Sequence, residues 1–193
     1  MKRVSTKNSA GLILLAAFLI GCSENGTDSD NIVVAENFVD AFYSFDPEPL
    51  GTLLDEAGDV RDSMLFYQGW AQAGNYIVMN RQPCQAINTN QVNCSITVQD
   101  DLVLALGIEF DVTDTFILTI FEGVITNIET STNDPQVYHE ARDWVWENQH
   151  DLVGEVCDGD SGATPDPAQC VTNVLERYRE YAQIEGLTPR APD

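Results

Sequence analysis

The run DTFILTIFEGVITNIETS, residues 114–131, constrains this chain more than any other stretch. Two β-rich segments flank Glu122-Gly123, and an acidic residue followed by glycine between such runs marks a tight hairpin turn. The fold must therefore contain an antiparallel pair. Strand periodicity puts Asp114 on the same face as Phe116, Leu118 and Ile120, a carboxylate in an otherwise apolar row. Upstream, residues 76–80, 81–87 and 92–98 show β-branched alternation, and the first two segments fit one bent strand as well as two. Residues 101–106, closed by Gly107, fit either a helical turn or a strand.

The amino terminus carries an address. Lys2, Arg3 and Lys7 precede an apolar run from Gly11 to Gly21, too short for a hydrocarbon core that needs about 20 residues. It reads as the h-region of a secretory signal. The sequence Leu19-Ile20-Gly21-Cys22 resembles the lipobox of bacterial lipoproteins. That resemblance implies a signal peptide over 1–21, lipidation of Cys22, and membrane attachment through two or three acyl chains, since one chain alone binds marginally. Ser23 resembles the sorting pattern for the outer membrane, which implies a lipid-anchored protein of the cell envelope facing the periplasm. Residues 22–31 lack large apolar side chains up to Asn31 and read as a lipidated flexible tether.

Beyond residue 21 the chain carries six arginines against 31 acids, a charge of −25. Such a surface repels phosphate backbones and anionic headgroups, so nucleic acid is excluded as a partner and lipid must supply the membrane attachment. Four further cysteines remain, and an even number in an exported chain argues for two disulfides with three connectivities. Cys84 and Cys94 are symmetric about Thr89 in the turn-forming Asn88-Thr89-Asn90, which places them opposite one another across two strands. Cys157 and Cys170 bracket a polar Gly/Pro-rich loop. Those two pairings are expected. A four-cysteine metal site is disfavoured by the lack of any C-x-x-C pair.

Helical patterns surround the strands. Val34, Phe38 and Phe42 form one apolar stripe with Ala35 and Ala41 beside it. Asp46-Pro47 opens a short helix, with aspartate as cap and proline at the first position; Asp62-Ser63 opens another, bearing Leu65, Phe66, Gly69, Trp70 and Ala73 and stopping at Gly74. Asp134-Pro135 and Asp166-Pro167 repeat the device and predict helices to about Val153 and Gln183. The expected class is α+β: N-terminal helices on a curved antiparallel sheet over 32–133, an added disulfide-clamped helical hairpin over 134–185, and a tail over 186–193.

Helices followed by antiparallel strands ending in a hairpin resemble the nuclear-transport-factor-two-like or SnoaL-like fold, with residues 114–128 matching its last two strands and their turn. The resemblance implies a cone-like sheet around an apolar pocket. In ketosteroid isomerase, a member of that family, an aspartate base acts with a tyrosine and a protonated aspartic acid. Asp114 falls at the position of that protonated acid, Phe38 stands where the tyrosine is expected, and Asp62 is the nearest carboxylate to the base but fits a helix cap better. Two readings of Asp114 stand open, a pocket-facing polar anchor and a carboxylate at a strand start facing water. Phe38, Phe42, Tyr67, Trp70, Phe116 and Leu118 are the candidate pocket residues, although stripes at helical spacing are more often core.

Other motifs fall short. His139-Glu140-Ala141-Arg142-Asp143 lacks the second histidine of the zincin H-E-x-x-H, and Asp158-Gly159-Asp160 begins like a calcium loop but has Ala163 and Gln169 where glycine and glutamate are needed. Trp144 and Trp146, two residues apart, point to different helix faces. No cofactor or metal is expected. The first functional reading is non-catalytic binding of a small apolar ligand or a cell-envelope partner. The alternative is an isomerase, dehydratase or hydrolase using Asp114.

Overall fold

The computed structural model describes residues 25–158 and 165–192. Cys22 and the lipobox lie outside the described residues. The chain is mixed α+β, with an antiparallel sheet packed against helices. Three helices come first: α1 (Asn25–Phe42), α2 (Pro47–Leu53) and α3 (Asp59–Ala73). The strands β1 (Ile77–Arg81), β2 (Gln85–Asn88) and β3 (Gln91–Gln99) follow, then a short helix α4 (Asp101–Ala105), the hairpin β4 (Val112–Phe121) and β5 (Val124–Thr132), and helices α5 (Gln136–Asn148), α6 (His150–Asp158) and α7 (Pro167–Glu185).

The sheet order is β1-β3-β4-β5, and β2 pairs with β3 on the edge that β1 occupies further along. β1 and β2 thus act as one interrupted strand. At the β4–β5 turn Glu122 and Gly123 have φ of 51° and 81°, the paired positive values of a two-residue hairpin turn. The inner face alternates strictly: Val92, Cys94, Ile96 and Val98 on β3, and Val112, Asp114, Phe116, Leu118 and Ile120 on β4, are all buried. A register shift between Thr119 and Ile120 lets both Ile125 and Ile128 of β5 reach that face despite their odd spacing.

Both disulfides form as the spacing predicts, Cys84–Cys94 with Cα atoms 4.4 Å apart and Cys157–Cys170 with 4.9 Å. The first joins the β1–β2 edge to β3; the second joins α6 to α7.

Two apolar clusters result. One packs Phe38, Val39 and Phe42 of α1, Leu50 of α2 with Leu54 at its C-cap, and Met64 and Ala71 of α3 onto the inner sheet face. The other joins Leu102, Val103, Leu106 and Val112 to Ala141, Val145, Val153, Val171, Val174 and Tyr178 of the C-terminal helices. The C-terminal helices are therefore bound into the body of the fold through α4 and β4. Where α7 begins against α3 a glycine is needed, because a Cβ on Gly69 would stand 2.6 Å from Pro167 Cγ.

Several boundaries differ from the sequence expectation. Residues 25–31, expected within a tether, are helical, and the reason is tertiary: Asn31 is buried and its Nδ2 donates to Thr89 O at 3.0 Å, docking α1 on the β2–β3 turn. The segment 101–106 resolves to helix, capped by Asp100, whose carboxylate accepts from Leu102 N and Val103 N. Helix α3 begins at Asp59 after Gly58, so Asp62 is no cap; its side chain is exposed and pairs with Arg61 at 3.5 Å. The helix expected from 134 to about 153 is broken at Gln149, giving three C-terminal helices where a two-helix hairpin was expected. The tail is strapped down: Arg190 N donates to Leu104 O, and its guanidinium reaches Ile108 O and Asp111. Among the described residues, no helix is long and apolar enough to cross a membrane.

Candidate functional site

Asp114 is buried on β4, two residues into the hairpin. Strand alternation turns it inward; the helices packed over that face then close water out. The Tyr43 hydroxyl, at the end of α1, donates to Asp114 Oδ2 at 2.9 Å. Burial pushes the Asp114 carboxyl up to about 6, against the pull of Tyr67 and Tyr43, whose hydroxyls favour the ionised form; the negative charge of Asp134 adds to the rise.

Asp114 opens onto a cavity of about 350 Å³ where the two apolar clusters meet. Ser63, Met64, Tyr67 and Trp70 of α3 form one wall, and Val112, Asp114, Thr130 and Thr132 of the hairpin form another. Tyr76, Asp100, Asp134 and Tyr138 complete it. Asp100 reaches the cavity because it caps α4, and burial drives its carboxyl up to about 7 in spite of the two backbone N–H groups it accepts. The charges of Asp114 and Asp134 raise it further. Asp134, expected as a helix cap, instead accepts from the Thr132 hydroxyl, and α5 starts after Pro135 with no side-chain cap. Burial also raises Tyr67, Tyr76 and Tyr138 well above the usual phenol range, so their hydroxyls stay protonated donors.

A groove of about 410 Å³ between α7 and the C-terminal strap is larger, but its charged residues Asp101, Arg179 and Arg190 are exposed or half-buried. The cavity beside Asp114 is the better site because two of its carboxyls, Asp100 and Asp114, are buried.

Of the pocket residues expected from sequence, Tyr67 and Trp70 line the cavity. Phe38, Phe42, Phe116 and Leu118 do not; all four are fully buried, and Phe116 meets Phe38 and Phe42 with ring centroids 5.4 and 5.2 Å away. The side of the sheet that was expected to be hollow is filled by aromatic side chains, because α1 crosses it directly and its large stripe residues interdigitate with β4. Asp62 lines no part of this cavity. Tyr43, Tyr76, Asp100, Asp134 and Tyr138 were not anticipated. Asp100-Asp101 ahead of an apolar run is a readable capping signal, but its burial depends on the C-terminal helices. Tyr43 follows directly on the α1 stripe, so its contact with β4 depends on how the helix lies across the sheet.

Trp144 packs against Tyr181 at 5.8 Å, and the Trp146 Nε1 donates to Asp158. Among the described residues no group of three or more His, Cys, Asp or Glu is arranged to hold a metal ion. No protein-family model matches the chain, and none of the curated proteins or solved structures compared with it matches either.

Proposed function

We propose that this chain is an exported, lipid-anchored, SnoaL-like domain that binds a small molecule in the cavity beside Asp114. The observation that carries the reading is the cavity itself: it has the size of a small-ligand site, half-buried aromatic walls, and convergent polar groups from the N-cap of α4, the β4–β5 hairpin and the start of α5. Two disulfides support export. Helices α1 to α3 on the inner face of an antiparallel sheet support the family reading. Anchoring rests on the lipobox and puts the protein in the cell envelope, at the outer membrane facing the periplasm.

Two experiments test this. Fragment binding followed by NMR should map to the cavity and be lost in Thr130→Trp, which places an indole at its rim while the fold persists. Cys22→Ala should abolish detergent-phase partitioning and fatty-acid incorporation.

A second reading, acid–base catalysis of the isomerase, dehydratase or hydrolase kind, is favoured by one observation. Asp114 is not alone: Asp100 lines the same cavity, and both carboxyls are raised toward neutrality, where a general acid or base works best. Proton exchange from a bound carbon acid that vanishes in Asp100→Asn would establish it.

A further inference from the structure

The cavity holds carboxylates without counter-charges. Among the described residues no ion pair reaches Asp100, Asp114 or Asp134; their partners are the Tyr43, Tyr67 and Thr132 hydroxyls and two backbone N–H groups. The arginines lie elsewhere: Arg81 pairs with Glu36 and Asp40, Arg61 with Asp55 and Asp62, Arg142 with Asp143, Arg177 with Glu176 and Glu180 and Arg190 with Asp111, and Arg179 is exposed on the α7 groove. No arginine, lysine or histidine lines this cavity. Neutral donors compensate a buried carboxylate only partly, and replacing such groups by apolar ones of similar shape is often stabilising. The remaining walls are aromatic, from Tyr67, Trp70, Tyr76 and Tyr138.

Resting on the reading of this cavity as a ligand site, we infer that its ligand is a small organic cation, an ammonium carried on an apolar body. The ammonium supplies the missing counter-charge to Asp114, Asp100 and Asp134. The aromatic rings take its body and, through their π faces, part of its charge. An anionic ligand would enter against three acids in a chain of net charge −22. A bare metal ion is disfavoured because the carboxylates are not grouped to clamp one.

The test uses benzylamine, benzyl alcohol and benzoate as probes of one shape and three charges, titrated calorimetrically against the protein at pH 7.5. Benzylamine should bind at least about ten-fold more tightly than benzyl alcohol, a difference of about 1.4 kcal/mol, with benzoate weakest. Asp134→Asn, at a half-buried position, should reduce the ratio of benzylamine to benzyl alcohol affinity several-fold, and an unchanged ratio would overturn the role of the carboxylates. Equal binding of benzylamine and benzyl alcohol would overturn the cation inference and leave the ligand site standing. Binding of no probe, or binding that survives Thr130→Trp, would overturn both.

Discussion

The Tyr43 hydroxyl and Asp114 Oδ2 lie 2.9 Å apart, joining the end of the first helix to the start of the hairpin 71 residues later. This contact holds a buried carboxylate in the orientation that faces the cavity, and it favours the ionised form. Tyr43→Phe removes a donor to a buried acid. The Asp114 carboxyl should then titrate above its present value of about 6, and the protein should lose about 1–3 kcal/mol, as read from carboxyl ¹³C shifts and urea unfolding.

Asp100 and Asp114 both have pKa values raised above the 3.8 of an ordinary aspartate. A carboxyl raised on folding contributes stability that is complete below its unfolded pKa and is lost as pH rises through the folded one. The window here runs from about pH 4 to about pH 7. Groups facing the pair are Tyr43 just after α1, Tyr67 on α3, Tyr76 before β1, and Asp134 and Tyr138 at α5. Wild-type stability minus that of Asp114→Asn should therefore fall by up to about 3 kcal/mol between pH 4 and 7, measured by chemical denaturation at each pH. A flat difference would mean that Asp114 is solvated.

Breaking the disulfides separates the two ends of the fold. Each closes a short loop, with sequence separations of 10 and 13, so the chain-entropy contribution is about 3 kcal/mol for each. Replacing either pair by serine should lower Tm by several degrees in differential scanning calorimetry. Loss of Cys157–Cys170 should in addition expose α6 to faster amide exchange, leaving β3 and β4 protected.

Arg81 and Gly69 contrast charge with packing. Arg81 clamps Glu36 and Asp40 on α1, but all three side chains are partly exposed, so Arg81→Gln should cost at most about 1 kcal/mol, and less in high salt. Gly69→Ala drives a methyl into Pro167 and should cost about 1–3 kcal/mol whatever the salt, because α3 and α7 must separate.

What the sequence discloses and what it hides divide along contact range. The Glu122-Gly123 hairpin, both disulfide pairings, the Asp46 and Asp166 caps and the placing of Asp114 on one strand face with Phe116, Leu118 and Ile120 follow from local chemistry, and each is present; that this face buries Asp114 does not follow from it. Asp134 looks like Asp46 and Asp166 in sequence, each followed by proline, yet it accepts from Thr132 and leaves α5 uncapped. No local rule distinguishes them. The depth of Phe38, Phe42, Phe116 and Leu118 likewise depends on how closely α1 approaches the sheet, which periodicity does not encode. The cavity was the least legible part, since its walls come from α3, α4, the hairpin and α5, and only the assembled fold brings Asp100, Asp114 and Asp134 together.

The most direct test of a ligand site beside Asp114 is a benzylamine titration followed by NMR of the aromatic and hydroxyl-bearing residues. Shifts concentrated at Tyr67, Trp70, Thr130, Thr132 and Tyr138, and absent in Thr130→Trp, are the predicted result. Shifts confined to the α7 groove around Leu187 and Arg190, or none at saturating probe, would contradict it.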